Sequence, residues 1–125
     1  MVTDHAPHLE EEKIEEGLAG VPGLQDYSHL VSWLIRKQGV NPGTITALTS
    51  TNPARFAGLE GQGQIEVGMD GSFTIVDLSS PERVRNDLVR SKCGWSPYEG
   101  FEFPGKARWT IRKGEELVSD FELVD

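Results

Sequence analysis

Three side chains that can bind a divalent metal lie within the first eight residues of the chain. Residues 3–8 read T-D-H-A-P-H and include Asp4, His5 and His8. Imidazole nitrogen and carboxylate oxygen both suit zinc. A carboxylate beside a metal-bound water can also accept a proton as that water attacks a carbonyl carbon. The spacing indicates either a metal-assisted hydrolytic site or a chance cluster in a terminal segment.

The ligand set that the sequence offers to zinc is incomplete. Zinc in proteins takes three or four protein ligands, whereas this chain has three histidines in all. The third, His29, falls in a predicted amphipathic helix, where a histidine is more often a surface or packing residue. The chain contains no H-x-H and only one cysteine, Cys93, which fits a reducing cytoplasm. A metal-assisted role for Asp4 would therefore need a metal that is held mainly by other ligands.

The length and the net charge of the chain limit the classes of protein to which it can belong. The chain has 125 residues, which is enough for one domain. Its net charge is -8 and it has no basic patch, so nucleic acid is not an expected partner. No apolar run approaches the roughly 20 residues that a membrane helix needs, so a membrane association is not expected either.

The N-terminal half of the chain, which must position these residues, is predicted to form helices. Residues 9–17 are acidic and predict a solvated helical turn or a mobile loop. Residues 26–38 predict an amphipathic helix with Asp26 as its N-cap. Its predicted apolar face contains Tyr27, Leu30, Val31 and Leu34.

A second helical segment is predicted after residue 40. Asn41 can cap it, with Pro42 at the first helical position. Asn52 and Pro53 are expected to end that helix, because the residue before a proline is pushed out of the α region. A further short turn over residues 53–56 is expected to run into Gly58.

From Gly63 onward the apolar period becomes two, which predicts strands. Ile65 and Val67 are expected on one face of a first strand, and residues 107–120 are expected to form a hairpin that turns at 113–115. The second strand is expected to point Phe73, Ile75 or Val76, and Leu78 inward. The aromatic side chains are predicted to pack in the core or at an interface; they are Trp33, Trp95, Trp109, Phe73, Phe101 and Phe103.

Several separated motifs together resemble one protein family. They are T-D-H-A-P-H at 3–8, E-E-K at 11–13, G-V-P-G-L at 20–24, T-N-P-A-R-x-x-G-L at 51–59, G-Q-I-E-V-G-M-D-G-S-F-T-I-V-D at 63–77 and S-K-C-G-W-S-P-Y-E-G at 91–100. In this order they resemble the C-terminal part of the dihydroorotases, zinc amidohydrolases of pyrimidine biosynthesis. Hydantoinases and allantoinases are similar in the N-P-A and G-x-I-x-x-G segments, but they generally lack the second histidine of D-H-A-P-H.

The resemblance implies a fold and a set of site residues. The family fold is a (β/α)8 TIM-type barrel with a small β-sandwich. The α+β chain would supply the end of that barrel over residues 1–60 (strand eight and the following helices) and part of the sandwich over 61–125. Asp4 matches the carboxylate that touches the catalytic zinc and acts as general base and acid. His8 matches the histidine that binds the substrate carboxylate, and Ala19 and Gly20 match a loop with backbone contacts to substrate.

The resemblance also implies that much of the enzyme lies outside this chain. A whole barrel takes about 250 residues. The family's H-x-H, its carboxylated lysine and its two later metal histidines have no counterpart here. We therefore expect an incomplete portion of a cytoplasmic enzyme that is inactive alone. The complete enzyme would interconvert dihydroorotate and N-carbamoyl-aspartate.

Three further expectations concern partners and alternatives. Apolar faces left without their family neighbours predict a homo-oligomer or an exchanged dimer. The chain could instead belong to another cyclic amidase of the hydantoinase or allantoinase type. It could also be a non-catalytic assembly module, for example one that docks onto an aspartate carbamoyltransferase.

Overall fold

The first half of the chain is helical. The computed structural model describes residues 1–124. The helices are α1 (Glu10–Glu16), α2 (Tyr27–Arg36), α3 (Pro42–Thr46) and α4 (Asn52–Ala57), with a π-helical turn over Ala47–Thr51 and a 3-10 turn over Asn86–Leu88. No helix within residues 1–124 is both long enough and apolar enough to cross a membrane.

The second half forms two small antiparallel sheets. The strands are β1 (Phe73–Asp77), β2 (Glu82–Arg83), β3 (Glu102–Phe103), β4 (Lys106–Arg112), β5 (Glu115–Ser119) and β6 (Glu122–Leu123). One sheet has the order β1-β4-β5-β6, and β2 pairs with β3 in the other. The predicted hairpin is confirmed, because β4 and β5 pair across a turn in which Lys113 and Gly114 both have positive φ. The α+β class is therefore observed.

Helix α2 lies against the sheets and joins the two halves of the chain. Ser32 on α2 is fully buried, and its hydroxyl donates to the carbonyl of Gly105 at 2.7 Å. A Cβ at Gly105 would lie 2.0 Å from the carbonyl oxygen of Asp77. Only glycine therefore fits at this point, because any side chain would push β1 away from the start of β4.

The face that α2 buries agrees with the predicted one at Val31 and differs elsewhere. His29, Val31 and Ser32 are its buried residues, whereas Leu30 and Leu34 are only partly covered. Asp26 does occupy the N-cap position, but its side chain makes no capping bond. It accepts a hydrogen bond from the Ser96 hydroxyl at 2.7 Å instead, which gives the buried carboxylate a partner.

Phe103 on β3 forms the centre of the core. Its side chain is 1% exposed. The ring stacks on His29 at a centroid distance of 5.4 Å and meets the edges of Tyr98 and Phe101 at 5.5 and 4.7 Å. The packing prediction is therefore confirmed for Phe103. It holds less well for Phe101, which remains about half exposed.

The predicted helix end at Asn52 and Pro53 is wrong. Asn52 keeps α-helical angles, and the chain stays helical from Pro42 to Ala57. The π-helical turn over Ala47–Thr51 ends two residues before Pro53. Because a π turn widens the backbone, it relieves the clash between the proline ring and the preceding carbonyls. The predicted cap at Asn41 is confirmed, since its side chain accepts from the Gly43 amide at 2.8 Å.

The predicted strand at Ile65 and Val67 is also wrong. Neither residue belongs to a strand, and the Ile65 side chain is 84% exposed. An alternating segment forms a strand only where another strand supplies hydrogen bonds, and residues 1–124 offer none to it. Phe73 is likewise exposed rather than inward, and a register shift between Ile75 and Val76 makes Val76 the better covered of the two.

The Asp77 carboxylate at the end of β1 should make the stability of the fold depend on pH in the acid range. The Ser79 hydroxyl and amide each donate to Asp77 Oδ1 at 2.7 Å, and these bonds, with help from Ser80 and Arg108, hold the pKa of Asp77 below its ordinary value. A carboxyl whose pKa is lower in the folded state stabilises the fold above its unfolded pKa, about 4. That contribution is lost as the pH falls through the folded pKa. We expect Asp77→Asn to flatten the decline of the melting temperature in acid.

The control for this prediction is Asp70→Asn. Within residues 1–124 its carboxylate accepts one side-chain hydrogen bond, from Gln62 at 3.4 Å, and the exposed Lys113 ammonium lies 4.0 Å away. The measurement is the melting temperature as a function of pH. Equal acid slopes for Asp77→Asn and the unsubstituted chain would contradict the account.

Candidate functional site

Asp4 is exposed, and its backbone adopts an unusual conformation. Asp4 has a φ of 47°, in the left-handed region that few residues other than glycine adopt. Such angles persist where surrounding contacts impose them. The contacts begin at the next residue, because His5 forms a parallel β-bridge with Val21. Asp4 is therefore presented to solvent from a backbone that its neighbours fix.

The segment 3–8 is bound to the loop that follows α1. The Ala6 amide donates to the Val21 carbonyl at 3.0 Å, and the Leu24 amide donates to Nδ1 of His5 at 3.2 Å. The second bond makes Nδ1 an acceptor, so a neutral His5 carries its proton on Nε2. His5 thus holds the loop in place, and the structure records no bond between His5 and Asp4.

Gly20 lies at the closest approach of the two segments. Its φ is 92°, and a Cβ built there would be 2.5 Å from the Cβ of Ala6. A side chain at this position would separate the loop from the 3–8 segment. Gly20 and its neighbour Ala19 are both exposed, as backbone groups that contact a ligand must be.

Two residues that were not predicted as site residues, Trp95 and Lys13, hold this arrangement together. The indole Nε1 of Trp95 donates to the carbonyl of His8 at 2.9 Å. The Lys13 ammonium donates to the carbonyls of Leu18 and Gly20 at 2.9 and 2.5 Å. Lys13 lies in the motif E-E-K at 11–13, and Trp95 lies in the motif S-K-C-G-W-S-P-Y-E-G at 91–100. Their membership of these motifs was the signal in the sequence that could have identified them. The structure therefore links four of the six motifs at one place.

A shallow depression of about 390 Å³ adjoins Asp4. Thr3, Asp4, Leu24 and Tyr27 help to line it. The Tyr27 hydroxyl donates to the carbonyl of Met1 at 3.4 Å, and burial raises the pKa of this phenol. Tyr27 thus stays neutral at physiological pH and can act only as a hydrogen-bonding wall of the depression.

The residues present do not fit a zinc ion. Residues 1–124 contain no group of three histidine, cysteine, aspartate or glutamate side chains that could hold a metal. The Nδ1 atom of His5 already accepts a hydrogen bond. Asp4 is then one carboxylate where zinc needs three or four ligands. The chemistry open to the described residues is therefore proton transfer by a carboxylate and the binding of an anion by an imidazole.

Comparison with curated proteins finds relatives along nearly the whole chain. The dihydroorotase of Methanothermobacter thermautotrophicus is 37% identical over 126 residues, which cover 98% of this chain and 29% of the relative. The dihydroorotase of Methanosarcina mazei is 40% identical over 124 residues, covering 94% of this chain and 26% of the relative. The chain thus spans less than a third of the length of these relatives. No protein-family model matches it.

Comparison with solved structures shows the fold. A D-hydantoinase from Thermus sp. superposes with a TM-score of 0.85 at 21% identity, over 97% of this chain and 28% of that one. A dihydropyrimidinase from Brevibacillus agri gives a TM-score of 0.85 at 23% identity, over 97% and 28% of the two chains. At these identities the likeness concerns the backbone alone.

Proposed function

This chain is homologous to the dihydroorotases over nearly its whole length, and we propose that it supplies the catalytic carboxylate and part of the substrate site of such an enzyme. The resemblance indicated by its motifs is confirmed by relatives at 31–40% identity. The observation that carries the proposal is the joining of the 3–8 segment to the 18–24 loop. It brings together the two segments that carry the matched residues, Asp4 and His8 on one and Gly20 on the other.

The proposed reaction is the reversible hydrolysis of a cyclic amide in pyrimidine biosynthesis. A water oxygen forms a bond to the ring carbonyl carbon of dihydroorotate, and Asp4 takes the proton that this water loses. The carbon–nitrogen bond then breaks, and Asp4 returns the proton to the leaving nitrogen. The product is N-carbamoyl-aspartate, whose new carboxylic acid group releases its remaining proton to solvent and becomes a carboxylate. His8 would hold the carboxylate that the substrate already carries.

The finer fold and setting belong to the same proposal. Residues 1–60 would be the end of a TIM-type barrel, and residues 61–125 part of a β-sandwich. The TM-scores near 0.85 support this assignment. The zinc that the resemblance implies would need ligands from outside residues 1–124. A cytoplasmic setting is consistent with the single Cys93.

A chimeric enzyme tests the proposal. In it, this chain replaces the homologous segment of the Methanothermobacter thermautotrophicus dihydroorotase, and zinc is supplied. We expect turnover of dihydroorotate by the chimera and none by the isolated chain, which lacks a complete ligand set. A chimera that folds, as judged by circular dichroism, yet leaves dihydroorotate unchanged would contradict the proposal.

Another cyclic amidase is the second candidate, favoured by the hydantoinase and dihydropyrimidinase neighbours. The two candidates differ at His8, because only a substrate with a carboxylate needs that imidazole. In the chimera, His8→Ala should weaken dihydroorotate turnover much more than dihydrouracil turnover if the first proposal is correct. Equal losses for both substrates would favour the second candidate.

We also propose that the chain forms a homo-oligomer. Its support is exposed apolar surface, which includes Phe56, Ile65 and Val67, and the open outer edge of β1. Such surfaces recruit partners. Light scattering should give a mass of at least two chains, against 13.8 kDa for one. A one-chain mass at high concentration would contradict this. Co-sedimentation with an aspartate carbamoyltransferase would test the assembly-module alternative.

A further inference from the structure

The Trp95 indole is bonded to the candidate site, and contacts on both sides of Trp95 in the sequence hold its backbone. Its Nε1 donates to the His8 carbonyl across 87 residues of sequence. On one side, the Cys93 thiol approaches the Trp95 carbonyl at 3.6 Å. On the other, Ser96 is buried and donates to Asp26 at 2.7 Å. The indole is thus carried by a restrained backbone, and its bond ties the backbone of His8 to that segment.

Lys13 completes the connection to the opposite segment. Its ammonium has three donors, and two of them go to the Leu18 and Gly20 carbonyls. The Nζ atom lies 5.9 Å from the centroid of the Trp95 ring, at the outer limit of a cation–π contact. A lysine that only capped α1 would need just the last helical carbonyls. Lys13 instead reaches the carbonyl of Gly20, four residues beyond the end of α1 at Glu16.

We propose that Lys13 and Trp95 are positioning residues for the substrate-binding groups at His8 and Gly20. The inference rests on the proposed function and extends it to two residues that do not themselves touch substrate. Trp95 fixes the backbone of His8, and Lys13 fixes the carbonyl of Gly20. Because Asp4 has no bond to either, their loss should act mainly on substrate binding.

The kinetic test uses the chimeric enzyme. We expect Lys13→Met, which removes the bonds to Leu18 and Gly20, and separately Trp95→Phe, which removes the bond to His8, each to raise the KM for dihydroorotate by about 10-fold, which corresponds to about 1.4 kcal/mol. The fall in kcat should be smaller than the rise in KM. Lys13→Arg keeps a charged donor and should recover most of the loss. Lys37→Met and Trp33→Phe are the matched controls and should leave the KM unchanged.

Hydrogen exchange in the chain itself gives an independent measurement. The Ala6 and Leu24 amides bond across the two segments, so they report how firmly the loop is held. Lys13→Met should accelerate their exchange several-fold, and Lys13→Arg should restore the slow rate. Lys37→Met should have no effect. Unchanged exchange in Lys13→Met overturns the inference, whatever the activity of the chimera.

The two measurements separate the possible failures. If the unsubstituted chimera has no activity, the proposed function fails, and exchange alone decides whether Lys13 positions the loop. If the chimera is active but both variants keep its KM, the positioning role is overturned and the proposed function stands. A fall in kcat as large as the rise in KM, together with a drop in melting temperature, would indicate a merely structural role. That result would also overturn the positioning role.

Discussion

Asp4→Asn in the chimeric enzyme should lower kcat for dihydroorotate at least about 100-fold. The substitution keeps the size of the side chain and removes its ability to take a proton from water. The exposed position of Asp4 and its lack of a described hydrogen bond mean that the fold should tolerate the change. Steady-state kinetics with dihydroorotate, together with the reverse reaction from N-carbamoyl-aspartate, measures the effect in both directions.

The control is Asp87→Asn, a second exposed aspartate remote from the 3–8 segment in sequence. Its carboxylate pairs with Arg85 on the surface, and such pairs contribute little. It should retain the kcat of the unsubstituted chimera. A tenfold or smaller loss in Asp4→Asn would show that another group transfers the proton. The general-base assignment would then be wrong, even if the chimera turns over dihydroorotate.

Phe103→Ala should destabilise the isolated chain by about 3–5 kcal/mol, the usual cost of removing a large buried aromatic side chain. Phe103 contacts the rings of His29, Tyr98 and Phe101, so its loss would leave a cavity between α2 and the smaller sheet. A domain of this size is stable by only about 5–15 kcal/mol. The expected loss is therefore a large part of the total, and urea unfolding followed by tryptophan fluorescence measures it.

Phe56→Ala provides the matched comparison. Phe56 lies on α4 and is 96% exposed, so its removal should change the free energy of unfolding by less than about 0.5 kcal/mol. If Phe103→Ala and Phe56→Ala cost the same, the core would not be centred where the structure places it. Because oligomers gain stability from association, both variants should be compared at one chain concentration.

The sequence by itself determined the elements whose signals are local. The Asn41 cap with Pro42, the helix over Tyr27–Arg36 and the turn at Lys113 and Gly114 depend on backbone preferences within a few residues. Glycine at the end of α4 belongs to the same group, since Gly58 takes the left-handed angles that end a helix. Local chemistry decides these features before the chain meets any distant partner.

The order of its motifs also indicated its relatives. Six separated segments matched one family in one order, and relatives at 31–40% identity bear this out. The matched site residues Asp4, His8, Ala19 and Gly20 remain a prediction, because the comparisons do not test individual positions. What the structure adds is that the segments carrying them lie together.

Only the tertiary structure decided how distant residues meet. Nothing in the sequence indicated that Asp26 would turn to Ser96 or that Trp95 would bind the backbone of His8. Residues 63–67 alternate like a strand yet remain unpaired. Backbone propensity acts over a few residues, whereas a strand, a buried carboxylate or an indole donor needs a partner that the fold alone supplies. The sequence indicates which interactions each side chain is able to make. The packing of the fold determines which of those interactions form.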